Sequence, residues 1–239
     1  MSIYTVSSIA SIINGHLISG FNKDYIIKEL AFDSRKIQHQ THVLFFALVS
    51  SKNDGHKYIQ ELYDKDIRNF VVNNTFTDTQ FFPQANFIFV DNSLQALQTL
   101  AKYHRKKFTV PVIGITGSNG KTAVKEWLYQ LLYNDFRIAY TPNSFNSQIG
   151  VPLSVWNLNE DIQLGIFEAG ISKPNEMNTL KEIIDPSIGI LTNIGTAHDE
   201  YFMDVKQKIG EKLNLFRNVD TLIYNTDNGI ITEVLLRTE

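Results

Sequence analysis

Apolar residues fall into short runs along most of the chain, and most runs are followed by a stretch in which they recur every three to four positions. The runs, rich in β-branched and aromatic residues, predict strands at 43–49 ("VLFFALV"), 69–73, 86–90, 111–116 ("PVIGIT"), 137–141, 164–169 ("LGIFEA"), 188–194 ("IGILTNI") and 221–225. The periodic stretches predict helices at 56–65, 93–107, 121–133, 174–184 and 203–218, several opened by Ser, Pro or Asn, and the first residues form a further short amphipathic helix. Strands alternating with helices in this way are the signature of parallel βα units, so the expected fold class is α/β. The helix "SLQALQTLAKYHRKKF" ends in a run of bases and the next strand opens with Val110-Pro111, which places a domain boundary near residue 108. The expected domains are therefore 1–108 and 109–239. The last residues, "NTDNGIITEVLLRTE", stop soon after a strand, in what reads as the next helix of an unfinished sheet, so the chain is expected to be the front part of a longer protein.

Composition narrows the picture. Hydrophobic residues make up 43% and charged residues 20%, an ordinary globular balance. A net charge of −3 gives no basic face for a nucleic-acid backbone, so any anion must be gripped locally. With no cysteine, disulfides and thiolate metal sites are excluded. The start lacks a basic n-region, and no apolar run approaches the ~20 residues that span a bilayer, so a cytoplasmic protein without membrane insertion is expected.

The strand 111–116 delivers the chain into Gly117-Ser118-Asn119-Gly120, and Lys121-Thr122 then opens a helix. Glycines allow backbone N–H groups to turn around an anion, the helix N-terminus adds its dipole, Lys121 brings a mobile positive charge, and the Thr122 hydroxyl suits Mg²⁺. The glycine spacing departs from the commonest phosphate loop, which would have Gly where Ile115 stands. In an open α/β sheet ligands bind beyond the carboxyl ends of the strands. Glu168, at the end of the strand 164–169, and His198, after the strand 188–194, should then rise beside the loop as candidate metal ligands. On the helix 203–218, Val205, Ile209, Leu213 and Phe216 form an apolar stripe with Lys212 in its middle and Lys208 at its edge or outside. A lysine that cannot reach water from such a stripe has a lowered pKa and a nucleophilic amine that can add CO₂ to give a carbamate.

These residues resemble the Mur ligases, the ATP-dependent enzymes that extend the peptide of peptidoglycan precursors. The family's T-G-[ST]-x-G-K-T loop matches Thr116 to Thr122 and accounts for the glycine spacing. "GKTAVKEW", "NSQIGVPLSVW", "FEAGISKPNEMNTLKEIIDPSIGILTNIGTAH" and, further upstream, "AFDSRKIQ", "LFFAL" and "DGHKYI" are similar to motifs of the branch that adds D-alanyl-D-alanine, in the same order. The resemblance implies a small N-terminal α/β domain for the UDP-linked substrate, followed by an incomplete P-loop-type central ATPase domain with a mostly parallel sheet. It implies that Gly117, Ser118, Asn119, Gly120 and Lys121 hold the ATP phosphates and that Thr122 binds the first of two Mg²⁺. Glu168 and His198 would be Mg²⁺ ligands. Lys212 would be a carbamylated lysine supporting the second metal, with Lys208 as the alternative. Ser34 and Arg35 would contact the UDP part of the substrate, and Asn146 and Ser147 would line the substrate cleft. The implied reaction joins D-alanyl-D-alanine to UDP-MurNAc-tripeptide through an acyl phosphate, with the 239 residues inactive by themselves. Ala123 after the loop, the sparse asparagines of "NSFNSQ" and the missing Gly after His198 are similar to a branch fused to an alanine racemase, which implies a racemase domain in the parent chain. Two other readings stay open: a related ligase for a different amino acid, of the Mur or folylpolyglutamate synthetase type, or a nucleotide- or substrate-binding module without catalysis.

Overall fold

The computed structural model describes residues 3–37, 41–195, 202–227 and 229–236. The chain folds as two compact units, residues 1–103 and residues 104–239.

The first unit contains strands β1 (Tyr4–Thr5), β2 (His16–Ser19), β3 (Ile26–Ile27), β4 (Glu29–Ala31), β5 (Val43–Phe46), β6 (Asn69–Asn73) and β7 (Asn86–Val90). Its helices are α1 (Val6–Ile12), α2 (Ile59–Asp64) and α3 (Ser93–Arg105), the last two residues of which belong to the second unit. Strands β4 to β7 pair in parallel, and β2 closes the sheet antiparallel to β7, giving the order β2-β7-β6-β5-β4. The long apolar runs are the interior strands: across them Phe45 meets Phe70 edge to face, with ring centres 6.4 Å apart, and Phe70 stacks on Phe87 at 5.4 Å. Strands β1 to β4 are two to four residues long and partly exposed, so they carry no apolar run and the sequence pattern does not reveal them. The expected helix 56–65 begins instead as a 3-10 turn, Gly55–Tyr58, capped by Asp54, before α2 continues it.

The second unit is a five-stranded sheet in which every pairing is parallel. It is built from β8 (Val112–Thr116), β9 (Ile138–Tyr140), β10 (Leu164–Glu168), β11 (Ile188–Leu191) and β12 (Thr221–Tyr224), in the order β12-β11-β8-β10-β9. Its helices are α4 (Lys121–Leu132), α5 (Gly150–Val155), α6 (Glu176–Ile184), α7 (Val205–Leu213) and α8 (Gly229–Leu236). The middle strand, β8, is flanked by β10 on one side and β11 on the other. Glu168 stands opposite Ile115 and Leu191 opposite Thr116, so three strands end at one level. The chain turns to the opposite side of β8 after β10, and such a switch opens a crevice at the carboxyl ends of the strands.

Several expectations are corrected. Helix α5 was not anticipated because Gly150 and Pro152 both disfavour helix. In the first turn, however, backbone N–H groups have no intrahelical partner, so Pro152 costs no hydrogen bond there. The strand expected to reach 194 stops at Leu191, and Thr192 to Gly195 leave it to brace the preceding loop. The bases "HRKK" are not simply a solvated boundary: His104 and Arg105 are buried. The Arg105 guanidinium donates to the carbonyls of Ile184 (2.8 Å), Asp185 (2.9 Å) and Phe108 (2.6 Å), and so caps the end of α6. Among the described residues no helix is long and apolar enough to cross a membrane.

Candidate functional site

Beyond Thr116 the chain bends through Gly117, whose φ of +150° suits glycine. A Cβ at Gly117 would lie 2.0 Å from Thr192 Oγ1 and 2.9 Å from the Asn193 carbonyl, so the close approach of the β11 exit also demands glycine. Gly120, at φ +80°, is the N-cap of α4 and supplies no capping side chain. The N–H groups of the first turn of α4, beginning at Lys121, are therefore presented to an incoming anion.

Sequence reasoning missed the brace on this loop. Ser118 N donates to the Asn193 carbonyl at 2.8 Å, Asn119 N donates to Asn193 Oδ1 at 2.9 Å, and Thr192 Oγ1 donates to the Asn119 carbonyl at 2.6 Å. Two amides expected to face a phosphate thus face the β11 exit instead. The signal was available: a Thr-Asn pair just past the end of the strand beside β8 stands level with the loop.

Lys121 Nζ folds back onto the Gly117 carbonyl at 2.9 Å and the Ser118 carbonyl at 3.3 Å. Burial lowers its pKa, and the Glu168 carboxylate opposes that shift. Thr122 Oγ1 lies 3.1 and 3.3 Å from the two Glu168 oxygens. Glu168 is wholly buried at the end of β10, and its N–H donates to Thr141 Oγ1 at 3.1 Å. Burial raises its pKa, while Lys125, the Thr122 hydroxyl and Lys121 act to lower it.

Helix α7 brings up two lysines rather than one. Lys212 is buried, and its Nζ donates to the Gly117 carbonyl at 3.2 Å. Its pKa is lowered to about 8, first by burial and then by the positive charges of Lys121 and Lys208. Lys208, placed by the periodicity at the edge of the stripe or outside it, is buried as well and donates to the Gly195 carbonyl. The correction has a simple cause: residues four apart share a helix face, so the face that buries Lys212 takes Lys208 with it. Val205, expected in the stripe, is instead exposed.

A cavity of about 150 Å³ opens beside these groups, lined by Ser118 and Lys121 from the loop, Asn146 and Ser147, the segment 170–172, and Lys212. Asn146 is held against Gly170: its carbonyl accepts Gly170 N at 2.7 Å, and a Cβ at Gly170 would lie 2.8 Å from Asn146 Oδ1. Ser147 Oγ accepts Gly150 N at 3.2 Å at the start of α5. The structure thus gathers Gly117 to Thr122, Glu168, Lys212, Asn146 and Ser147. Ser34 and Arg35 belong to the first unit, where Arg35 makes a bidentate pair with Asp33 at 2.8 and 2.9 Å and is otherwise exposed. His198 lies outside the described residues.

The residues present fit a magnesium nucleotide. A hydroxyl and a buried carboxylate offer adjacent hard oxygen donors, and Mg²⁺ is commonly held by one or two such groups with phosphates and water completing its shell. Among the described residues no group of three or more His, Cys, Asp or Glu side chains could hold a metal by itself.

Residues 115–239, just over half the chain, match the family described as the Mur ligase middle domain. The chain is 30% identical, over 235 residues, to the UDP-N-acetylmuramoyl-tripeptide--D-alanyl-D-alanine ligase of Bacillus subtilis (strain 168), covering 95% of this chain and 50% of that protein. Among solved structures it is similar to a MurF crystal structure from Acinetobacter baumannii, with a TM-score of 0.81 at 22% identity over 99% of this chain and 52% of that one. It also resembles the MurF ligase of Thermotoga maritima in complex with ADP, with a TM-score of 0.75 at 25% identity over 88% of this chain and 48% of that one. The chain spans about half the length of the relatives it matches.

Proposed function

The chain belongs to the Mur ligase family, and from that membership we propose that it is the nucleotide- and UDP-substrate-binding part of a ligase that joins D-alanyl-D-alanine to UDP-MurNAc-tripeptide. Mg·ATP would supply the phosphoryl group that activates the tripeptide carboxylate as an acyl phosphate, from which the dipeptide amine displaces phosphate. The observation that supports this reading is the meeting of Lys121 and Lys212 on one cavity at the carboxyl ends of β8 and β10, with Thr122, the next residue along, held against the Glu168 carboxylate.

In this reading the first-turn amides of α4 and the Lys121 ammonium hold the phosphates. Lys121 exchanges its two loop carbonyls for phosphate oxygens, so its charge is already desolvated when it meets them. Thr122 Oγ1 and the Glu168 carboxylate would hold one Mg²⁺, with His198 as a further ligand, and Lys212 as its carbamate would support a second; the cations would supply positive charge against the phosphate oxygens. Asn146 and Ser147, which line the cavity with Lys121, would orient the peptide end of the UDP substrate, and Ser34 and Arg35 would contact its UDP end. Holding reactants in line is most of what a phosphoryl-transfer site contributes.

Replacing Lys121 by Ala tests this. In a ligase of the relatives' full length that carries this chain, ligation should fall by about 10²–10³-fold, the usual cost of one preorganised charge-stabilising donor. Ligation near the wild-type rate would contradict the assignment.

A further inference from the structure

Lys125 is a charged residue that the proposed mechanism leaves unused, yet it is the most completely buried side chain of α4. Its Nζ donates to the Thr141 carbonyl at 2.8 Å and to the Asn143 carbonyl at 2.6 Å, and it pairs with Glu126 at 2.9 Å. The Tyr140 ring centre lies 5.6 Å away. Three acceptors match the three hydrogens of an ammonium, and a buried ammonium is tolerated only when it is satisfied in this way. For packing alone a Leu or Met would fill such a position without that constraint.

The two carbonyls belong to the turn that leaves β9, held by Asn143 in the left-handed region at φ 49°, and neither belongs to the loop 117–120. The same turn continues into Asn146 and Ser147 at the cavity, and Thr141 Oγ1 accepts the N–H of Glu168. Lys125 sits one helical turn after Lys121. It therefore fastens the helix that carries Lys121 and Thr122 to the segment that carries the substrate-facing residues.

We propose that Lys125 is a positioning residue that fixes the turn 141–147 relative to the phosphate-loop helix, so that the carboxylate-bearing end of the peptide substrate is held in line with the nucleotide phosphates. The inference rests on the ligase reading given above. Because the bonds of Lys125 go to the turn and not to the loop, and it reaches the nucleotide side only through its charge on Glu168, its loss should be felt more by the UDP-linked substrate than by the nucleotide.

The test is Lys125→Met, with Lys125→Arg as the donor-retaining control, in a ligase of the relatives' full length that carries this chain. Leaving buried carbonyls unpaired is worth a factor of about 10 or more, so KM for UDP-MurNAc-tripeptide should rise by about that much in Lys125→Met while KM for ATP rises clearly less, through the charge lost beside Glu168. Lys125→Arg should recover part of the loss. A purely structural role would lower kcat through a smaller active fraction and leave both KM values unmoved; that outcome, or an equal rise in KM for ATP, overturns the proposal. Amide hydrogen exchange of the 239-residue chain reads the same claim without substrates: exchange across 141–147 should quicken in Lys125→Met while α4 keeps its protection, and unchanged exchange across 141–147 overturns the proposal. A wild-type ligase that forms no ligated product would sink the ligase reading itself, and the exchange comparison would still decide whether Lys125 holds the turn.

Discussion

Lys212 gives the sharpest chemical prediction. With its pKa lowered to about 8, close to half of Lys212 is neutral at pH 8, whereas an ordinary lysine near 10.4 is neutral at well under about 1% there. Burial and the charges of Lys121 and Lys208 thus raise the population of reactive amine on the order of a hundredfold. The neutral amine adds to CO₂, forming an N–C bond and releasing a proton, and the carbamate that results is an anion facing the cavity beside Lys121. Carbon NMR of the chain in isotope-labelled bicarbonate should therefore show a carbamate resonance at pH 8, weaker at pH 7, where only about a tenth of the amine is neutral. Lys212→Met should abolish it. Lys208→Met should only weaken it, because removing a like charge lets the Lys212 pKa rise. A resonance that survives Lys212→Met and vanishes in Lys208→Met would refute the assignment, and a wild-type spectrum without the resonance would refute the carbamate.

Two further predictions concern the frame of the site. Gly117→Ala should weaken Mg·ADP binding by at least about tenfold, because the loop must shift to relieve the clash with Thr192 and Asn193; titration calorimetry on the folded variant checks this, and unchanged affinity would contradict it. His104, whose pKa burial lowers from 6.5 to about 4, should make the second unit acid-sensitive. Its contribution is complete above pH 6.5, where the unfolded histidine is neutral too, and is lost as the pH falls from 6.5 towards 4, by about 2 kcal/mol already at pH 5. Trp156, with its ring centre 4.6 Å from that of His104, reports the unfolding; His104→Gln should flatten the pH dependence, and an unchanged slope between pH 7 and 5 would contradict the burial argument.

The parts of this molecule that the sequence reveals are those where one physical rule dominates. The interior strands β5 to β8 and β10 are buried on both faces, so their apolar runs are unmistakable, and the loop before α4 is announced by glycines that its backbone geometry requires. Strands β1 to β4 hold their places through pairing and a few buried side chains, Tyr4, Ile27, Leu30 and Ala31, too few to leave a periodic trace. Lysine was the least legible residue. Lys212 stands out because it interrupts an apolar stripe, whereas the periodicity puts Lys208 at the edge of that stripe or outside it and says nothing of Lys125; the surrounding carbonyls reveal why both are buried. Thr192 and Asn193 act through backbone and side-chain bonds to a loop more than 70 residues earlier, a pairing that local pattern does not encode.

The central claim is that this fold serves an ATP-driven amide ligation with D-alanyl-D-alanine as the incoming group. Product formation and ADP release should be followed by mass spectrometry and a coupled assay, in a ligase of the relatives' full length that carries this chain. With Mg·ATP and UDP-MurNAc-tripeptide present, UDP-MurNAc-pentapeptide and one ADP per amide bond should form only when D-alanyl-D-alanine is added. ADP release indifferent to both the tripeptide substrate and the dipeptide, or ligation of a different amino component in its place, would contradict it.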